Sequence, residues 1–242
     1  MKILAIDTSN QTLSVAICND QQLIGQYTGT TNKNHSLALM PAIDFIMKEN
    51  QISPQGIERI VVAQGPGSYT GLRIGVTTAK TLAWTLGVEL VGISSLASLA
   101  ANSLDYQGLI VPLFDARRNN VYTGIYQWQG SQLVTIVPDK HISFEQWLLE
   151  LENYDQEMRF VGSDLSKFSQ LIEESLVKTT IDLTDAYHEV NSLSLAKLGL
   201  TGEVVPSVED FVPAYLKLVE AEENWLANNN NHEQRESYVE KI

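Results

Sequence analysis

The sequence predicts an α/β fold of two lobes, each with the element order βββαβαβα. Short apolar runs alternate with segments of helical periodicity, and their order is the same before and after residue 104. The first apolar run of each half also ends in an aspartate, Asp7 in one and Asp115 in the other. The two halves share few residues, so it is the repeated order that indicates an internal duplication.

The first lobe, residues 1–104, is predicted to contain five strands and three helices. The strands are short runs rich in Ile, Leu and Val between polar turns. The first helix has apolar residues three and four positions apart, and Gly87 is in the usual position to end the second helix. In chain order the elements are Lys2–Ile6, Thr12–Asn19, Leu23–Thr28, Ser36–Asn50 (helix), Arg59–Gln64, Thr70–Leu86 (helix), Glu89–Ile93 and Ser95–Ser103 (helix).

The second lobe, residues 105–220, repeats that order. Ser143 is a plausible cap for its first helix. Residues 221–242 are predicted to form a C-terminal helix or tail that is partly disordered, because four consecutive Asn residues occupy positions 228–231. The predicted elements of this lobe are Leu109–Asp115, Val121–Gln127, Gln132–Val137, Ser143–Leu151 (helix), Met158–Val161, Asp164–Ser175 (helix), Thr179–Leu183 and Ser192–Leu200 (helix). Two such lobes facing each other are the architecture of actin, the sugar kinases and their relatives.

The overall charge argues against direct binding of nucleic acid by this chain. The chain has 16 Lys and Arg against 29 Asp and Glu, a net charge of −13, and no basic stripe. Phosphate binding requires clustered cations, so any RNA is expected to be held mainly by another protein. A single cysteine, Cys18, excludes an internal disulfide. We find no signal peptide and no apolar stretch of about 20 residues, so we expect a cytoplasmic protein without a membrane contact.

The segment from Gly65 to Gly75, GPGSYTGLRIG, has two possible structural roles. Free N–H groups at the start of the following helix could bind an anion. It is not a Walker loop, because no Lys-Ser or Lys-Thr pair follows the last glycine. Alternatively, Gly71 and Gly75, one turn apart, let this helix approach another helix closely. We favour the second interpretation.

Four stretches of the chain resemble the TsaB family, also called YeaZ. They are MKILAIDTSNQTLSVAI at the N-terminus, NHSLALMPAI from Asn34, GPGSYTGLRIGVTTAKTLA from Gly65 and DARRNNVY from Asp115. The resemblance implies the duplicated actin-like ATPase (ribonuclease H-like) fold. It also implies work with a TsaD-like catalytic subunit, a TsaE-like ATPase and a separate carbamoyl-adenylate synthase. Together these install threonylcarbamoyl on the adenosine next to the anticodon of tRNAs that read codons beginning with A.

The resemblance also implies that the chain is a non-catalytic scaffold. TsaD-like chains place two metal-binding His residues four positions apart after the strand that matches Glu89–Ile93, and the matching residues are Ser95 and Leu99. Leucine cannot bind metal, so we expect no metal and no catalytic residue. Two alternatives of the same fold remain, an ATP-dependent phosphotransferase and a metallopeptidase. ATP binding with turnover, or a bound metal, would distinguish them.

Nucleotide binding is expected to be degraded as well. In actin-like folds, Gly-containing turns after the first strand of each lobe cradle the phosphates, whereas the turns after Asp7 and Asp115 contain no glycine. Asp7 could still reach a metal ion through water, and Arg117 could still meet a phosphate. The alternatives are that Asp7 caps its own turn and that Arg117 lies in surface ion pairs, and we favour these. We expect no cofactor of the chain's own, with ATP only at a shared interface.

The two long helices of the first lobe are predicted to bind a partner. Their apolar surface is wider than one core face requires, and Gly71, Gly75 and Thr78 would allow close helix packing. The resemblance implies that this surface serves both a homodimer and the complex with the catalytic subunit, so the two should compete. The alternative is that these residues belong to the internal core. The predicted interface residues are Leu39, Met40, Ile43, Met47, Gly71, Arg73, Gly75, Thr77, Thr78 and Lys80.

Overall fold

The computed structural model describes residues 1–30, 35–176, 179–181 and 185–217. The first sheet is formed by β1 (Lys2–Asp7), β2 (Thr12–Asn19), β3 (Gln22–Thr30), β4 (Arg59–Gly65) and β5 (Glu89–Ser94), with α1 (His35–Glu49), α2 (Tyr69–Leu86) and α3 (Ser95–Ala100) between or after them. The predicted tail over residues 221–242, with its asparagine run, and the end of the predicted strand Thr179–Leu183 lie outside the described residues.

The second sheet is formed by β6 (Leu109–Asp115), β7 (Asn120–Gln129), β8 (Gln132–Ser143), β9 (Met158–Val161) and β10 (Thr179–Ile181). Its helices are α4 (Phe144–Leu151), α5 (Ser169–Ser175), α6 (Asp185–His188) and α7 (Ser192–Gly199). The short α6 was not predicted, and the predicted helix Asp164–Ser175 is divided into a 3-10 turn, Leu165–Lys167, and α5.

The two sheets have the same strand order. The first is β3-β2-β1-β4-β5, and the second, taken from its opposite edge, is β8-β7-β6-β9-β10. In each sheet the first three strands pair antiparallel and the others extend it in parallel. The sequence prediction of a duplicated actin-like ATPase (ribonuclease H-like) fold is therefore confirmed.

The lobes exchange one helix each. On the first sheet, α1 and α2 cover one face, and Leu195 and Ala196 of α7 pack on the other face against Ile3 and Ala5. On the second sheet, Leu96 and the rest of α3 pack on the face turned toward the first lobe, opposite α4 and α5. The predicted division at residue 104 follows the order of the chain. However, α3, which precedes residue 104, packs on the second sheet, and α7, which follows it, packs on the first.

Residues 203–217 form a segment that we call the C-terminal strap, and it lies on the first lobe. Val205 N donates to Leu90 O of β5, and Ala214 N donates to Gln64 O of β4, both at 2.8 Å. The aromatic ring of Phe211 packs on the first core. The strap thus belongs structurally to the first lobe, although its position in the chain suggested the second.

Local signals set the ends of the main helices. Ser68 caps α2 by accepting from Gly71 N, and Gly87 ends α2 in the left-handed conformation at φ 66°. Ser143 caps α4 in the same way, as its sequence position predicted. In the described part of the chain, no helix combines the length and the apolar character that crossing a bilayer requires.

Candidate partner-binding face and interlobe cleft

Asp7, the last residue of β1, is buried and faces its own turn. Its Oδ1 accepts hydrogen bonds from the backbone N–H of Ser9 at 2.9 Å and from the Ser9 hydroxyl at 2.7 Å. Its Oδ2 is buried without a partner. Burial raises the pKa of the Asp7 carboxyl, although the Ser9 hydrogen bonds oppose the shift. A fully buried carboxyl of this kind holds the turn and is poorly placed to meet a soluble nucleotide.

The glycines of the GPGSYTGLRIG segment make room for that same turn. Ser68 N donates to Ser9 O at 2.7 Å, and the Thr8 hydroxyl donates to Gly71 O at 2.7 Å. A Cβ at Gly67 would lie 2.3 Å from Ser9 O, and one at Gly71 would lie 2.1 Å from Thr8 O. The close-approach interpretation is therefore correct, but the element approached is the β1–β2 turn, where we had expected a helix.

The corresponding turn of the second lobe is neutralised from within the chain. Lys167 Nζ lies 2.7 Å from Asp115 Oδ2 and 2.9 Å from Asp164 Oδ1. Partial burial by itself would raise the pKa of the Asp115 carboxyl. The hydrogen bonds from Lys167 and from the N–H of Arg117 outweigh burial and lower this pKa. The Arg117 side chain is exposed, and its backbone adopts the left-handed conformation at φ 66°. The Asp115 carboxylate is thus already occupied by an internal cation.

The two lobes contact each other directly across the cleft. Asn10 Nδ2 donates to Ser163 Oγ at 3.0 Å, which joins the β1–β2 turn to the segment after β9. The Ser94 hydroxyl donates to Asp139 Oδ2 at 2.5 Å, and the Tyr126 hydroxyl donates to the other oxygen of Asp139. Burial raises the pKa of the Asp139 carboxyl, and these two donors oppose the shift. The cleft is consequently lined by side chains that already bind one another.

The positions that match the metal-binding His pair are in the core. Ser95 is buried and its hydroxyl accepts from Gly65 N at 3.1 Å, and Leu99 is fully buried in the second lobe's core. Across the residues that the structure describes, no three His, Cys, Asp or Glu side chains come together as a possible metal site.

A groove of about 370 Å³ runs between α1 and α2 on the outer surface of the first lobe. Met40 is 47% exposed at its edge, and neighbouring apolar side chains on α1 are more exposed still, with Leu37 at 73%. Large apolar side chains this exposed, beside a groove, are typical of a surface that binds another protein. The groove is lined by Ser36, Leu39, Met40, Arg73, Ile74, Thr77 and Thr78.

The structure sorts the predicted interface residues into two groups. Met40, Arg73 and Thr77 are exposed, Thr78 is half-buried, and all four line the groove. Five others pack within the chain, although Leu39 also lines the groove, and their contact with a partner stays a prediction. Leu39, Ile43 and Met47 belong to the first core, and Gly71 and Gly75 are buried against the β1–β2 turn.

Lys80, another predicted interface residue, is bonded within the chain. Its Nζ donates to the carbonyls of Glu209 and Phe211, both at 2.7 Å, so it anchors the strap to α2. Near the end of the strap, the ring of Tyr215 lies 5.0 Å from that of Tyr69. Sequence reasoning missed both tyrosines, and the signal for Tyr215 was the aromatic character of the segment FVPAY, residues 211–215.

Comparison with known proteins places this geometry in a family. The family model described as "TsaD: tRNA N6-adenosine threonylcarbamoyltransferase" matches residues 11–225. A relative from Bacillus subtilis (strain 168), named "tRNA threonylcarbamoyladenosine biosynthesis protein TsaB", is 45% identical over 93% of this chain and 98% of its own length. The chain belongs to the TsaB family.

More distant members of the TsaB family agree with this assignment. The TsaB protein of Haemophilus influenzae is 28% identical over 90% of this chain and 94% of its own length. The solved structure titled "YeaZ from Pseudomonas aeruginosa" aligns with a TM-score of 0.75 and 23% identity, over 89% of this chain and 99% of that one. This chain and the Pseudomonas aeruginosa structure therefore share one fold along nearly the whole length of both.

Proposed function

We propose that this chain is a non-catalytic subunit that supports a TsaD-like catalyst in threonylcarbamoylation of the adenosine next to the tRNA anticodon. The Bacillus subtilis relative is named for the biosynthesis of this modified nucleoside. The observation that carries the scaffold role is the groove between α1 and α2 on the surface of a folded lobe, lined by the exposed Met40 and the half-buried Ile74 together with polar side chains. A TsaD-like subunit binds there.

The geometry of the cleft supports a non-catalytic role. Asp7 is buried in its turn, Asp115 is paired with Lys167, and Asn10 bonds across to Ser163. These contacts engage the turns after the first strand of each lobe, which are expected to cradle the phosphates in active members of the fold. ATP, if it acts in the complex, lies at an interface shared with the catalytic subunit or in a TsaE-like ATPase.

The remaining partners follow from the same surface and from the charge. Two copies of this chain pair through the groove when the catalyst is absent, so homodimer and heterodimer compete. The net charge of −13 makes the catalytic subunit the main holder of tRNA, and this chain meets the tRNA only indirectly.

The test places a charge in the groove. Met40→Glu and Thr77→Glu add a carboxylate at exposed positions and are expected to weaken binding to the same organism's TsaD at least about tenfold, measured by calorimetry. Thr85→Glu is the matched control, because Thr85 is exposed on α2 but does not line the groove. Thermal melting checks folding. Folded variants that bind with unchanged affinity would place the interface elsewhere.

A second measurement concerns catalysis. The purified chain alone is expected to show neither ATP hydrolysis nor threonylcarbamoyl transfer, and transfer is expected only when the catalytic subunit is added. Turnover by the chain alone, above a protein-free blank, would contradict the non-catalytic role.

A further inference from the structure

At one end of the groove, the strap and α2 together build a cluster of one arginine and two tyrosines. The Arg73 guanidinium carbon lies 4.3 Å above the centre of the Tyr69 ring. Arg73 Nε donates to the Tyr215 hydroxyl at 3.2 Å. The two rings pack at 5.0 Å with a tilt of 34°. We call this the Arg–Tyr cluster, and it depends on a residue 142 positions away from Arg73 in the chain.

Hydrogen bonds to α2 and β4 hold the strap on the first lobe. Lys80 binds two strap carbonyls, and Ala214 N is bonded to Gln64 O. A Cβ at Gly65 would lie 2.5 Å from Ala214 O, and one at Gly92 would lie 2.5 Å from the Phe211 ring, so both glycines leave room for the strap. Tyr215 is therefore presented by a rigid support.

The Arg–Tyr cluster remains open to solvent. Tyr69 is 45% exposed and Tyr215 is 41% exposed. Arg73 forms no ion pair with any described residue, and only one of its five N–H groups is used, by Tyr215. Tyrosine and arginine are the residue types that most often dominate the binding energy of protein interfaces. The free edge of the guanidinium is suited to a carboxylate, which can accept two parallel hydrogen bonds.

The charge around the Arg–Tyr cluster indicates what occupies it. The 18 residues of α2 include no Asp or Glu, although the whole chain carries a net charge of −13. A second copy of the chain therefore offers no carboxylate from its own α2. On α1, the exposed Asp44 is already paired with Lys48 at 2.7 Å, and the exposed Glu49 is the last residue of the helix and does not line the groove. A different chain that supplies the acid fits better than a second copy does.

From these contacts we infer that the Arg–Tyr cluster is the docking point for an aspartate or glutamate side chain of the catalytic partner, and that the strap exists to build it. This inference rests on the proposed function and adds to it the chemistry of recognition. Tyr69 and Tyr215 hold the guanidinium plane, and the partner's carboxylate binds its free edge while apolar partner side chains enter the groove beside Met40. Recognition of the catalyst then differs from self-association by this ion pair.

The decisive experiment measures the affinity for the catalytic subunit by calorimetry at several salt concentrations. Arg73→Gln removes the charge, and Arg73→Lys keeps the charge but loses the planar donor pair. Both are expected to weaken binding at least about tenfold, and Arg73→Gln should also reduce the dependence of affinity on salt. Tyr215→Phe, which keeps the ring and loses the hydroxyl, is expected to weaken binding about threefold.

Lys197→Gln is the matched control. Lys197 is an exposed cation on α7, on the opposite face of the first sheet from α2, and it forms no ion pair with the described residues. Its removal should leave the affinity unchanged. A double-mutant cycle then pairs Arg73→Gln with Asp→Asn or Glu→Gln changes on the partner, and one partner carboxylate should couple to Arg73.

The outcomes separate this inference from the proposed function. If Met40→Glu abolishes binding while the Arg73 and Tyr215 variants bind normally, the Arg–Tyr cluster has no part in docking and the proposed face stands. If the Arg73 variants bind weakly but Tyr215→Phe and Tyr215→Leu have no effect, the strap has been assigned wrongly. If no partner carboxylate couples to Arg73, the chemistry is wrong. If all of these variants, Met40→Glu included, fold and bind normally, the proposed face itself fails.

Discussion

Gly71 is a helix residue with no room for a side chain. Its Cβ would lie 2.1 Å from the carbonyl oxygen of Thr8, inside any permitted contact distance. Alanine is about 1 kcal/mol better than glycine in a helix interior, so helix propensity alone predicts a gain in stability. The clash should outweigh that gain, and Gly71→Ala is expected to lower the free energy of unfolding by about 1–3 kcal/mol in urea denaturation.

Gly87→Ala is the matched control for Gly71→Ala. Gly87 has a positive φ of 66° but no atom within 4 Å of an added Cβ. Its substitution should therefore show only the backbone penalty of about 1 kcal/mol. A Gly71→Ala variant as stable as the parent would show that the β1–β2 turn does not press on α2.

Asp7 should make the stability of the protein depend on pH in an unusual direction. Burial raises the folded-state pKa of Asp7 above the value of about 4 found in unfolded chains. As the pH rises through that value, the unfolded state ionises first, so the contribution of Asp7 to folding becomes less favourable. Asp7→Asn cannot ionise and retains an oxygen for the bonds from Ser9.

The stability of Asp7→Asn relative to the parent is therefore expected to be greater at pH 7.5 than at pH 3.5. The measurement is urea denaturation of both proteins across this range. The test is whether the difference in the free energy of unfolding between Asp7→Asn and the parent changes with pH. The absolute difference is not the test, because the unpaired amide of the new side chain adds a penalty that does not vary with pH. A constant difference would mean that the Asp7 carboxyl titrates normally.

At the level of elements, the sequence predicts the strands and long helices well because their signals are local. Runs of β-branched residues, the Ser68 and Ser143 caps and the Gly87 terminus all act within a few residues. Two kinds of information are missing from such signals. Periodicity shows that α7 has an apolar face, but not which sheet covers it. It also gives no signal for the strap, whose bonds to β4 and β5 join residues far apart in the chain.

The candidate face shows the same limit. The width of the apolar surface on α1 suggested a partner, yet Leu39, Ile43 and Met47 cover a sheet, which accepts a wide helix face. Met40 and Arg73 lie just beyond that face and line the groove, and their contact with a partner stays a prediction. Tyr69 and Tyr215 could not be paired from the sequence, since only the folded strap brings them together.

Lys80 should control whether the strap stays on α2. Lys80→Met keeps the long side chain but removes the donors for the carbonyls of Glu209 and Phe211. Each lost hydrogen bond from a charged donor is worth about 1.5–3 kcal/mol when buried, and less here because Lys80 is only half-buried. We expect faster hydrogen exchange at Ala214 N, with the exchange of β1 unchanged.

Lys48→Met is the control for Lys80→Met, because it removes an exposed lysine on α1 that pairs only with Asp44. It should leave exchange at Ala214 N as in the parent. Unchanged exchange in Lys80→Met would show that Phe211 and the bond to Gln64 hold the strap by themselves.

At the scale of the whole molecule, the net charge determines the affinity for RNA. With a net charge of −13, the chain repels phosphate over about 8 Å, the Debye length at physiological salt. The isolated chain is expected to bind tRNA with a Kd above about 10 μM, and binding should tighten only when the catalytic subunit supplies a basic surface. Fluorescence anisotropy with labelled tRNA tests this. A submicromolar, salt-sensitive complex with the chain alone would contradict it.

The exchange of α3 and α7 between the lobes has a consequence for synthesis on the ribosome. A protein of two sequential domains can fold its N-terminal domain while the rest is being translated. Here one face of the first sheet, with Ile3 and Ala5, is covered by Leu195 and Ala196 of α7, which begins at Ser192. A nascent chain of 104 residues therefore exposes that apolar face until about 90 more residues have left the exit tunnel. We expect this interval to be prone to aggregation and the two lobes to reach their native state together.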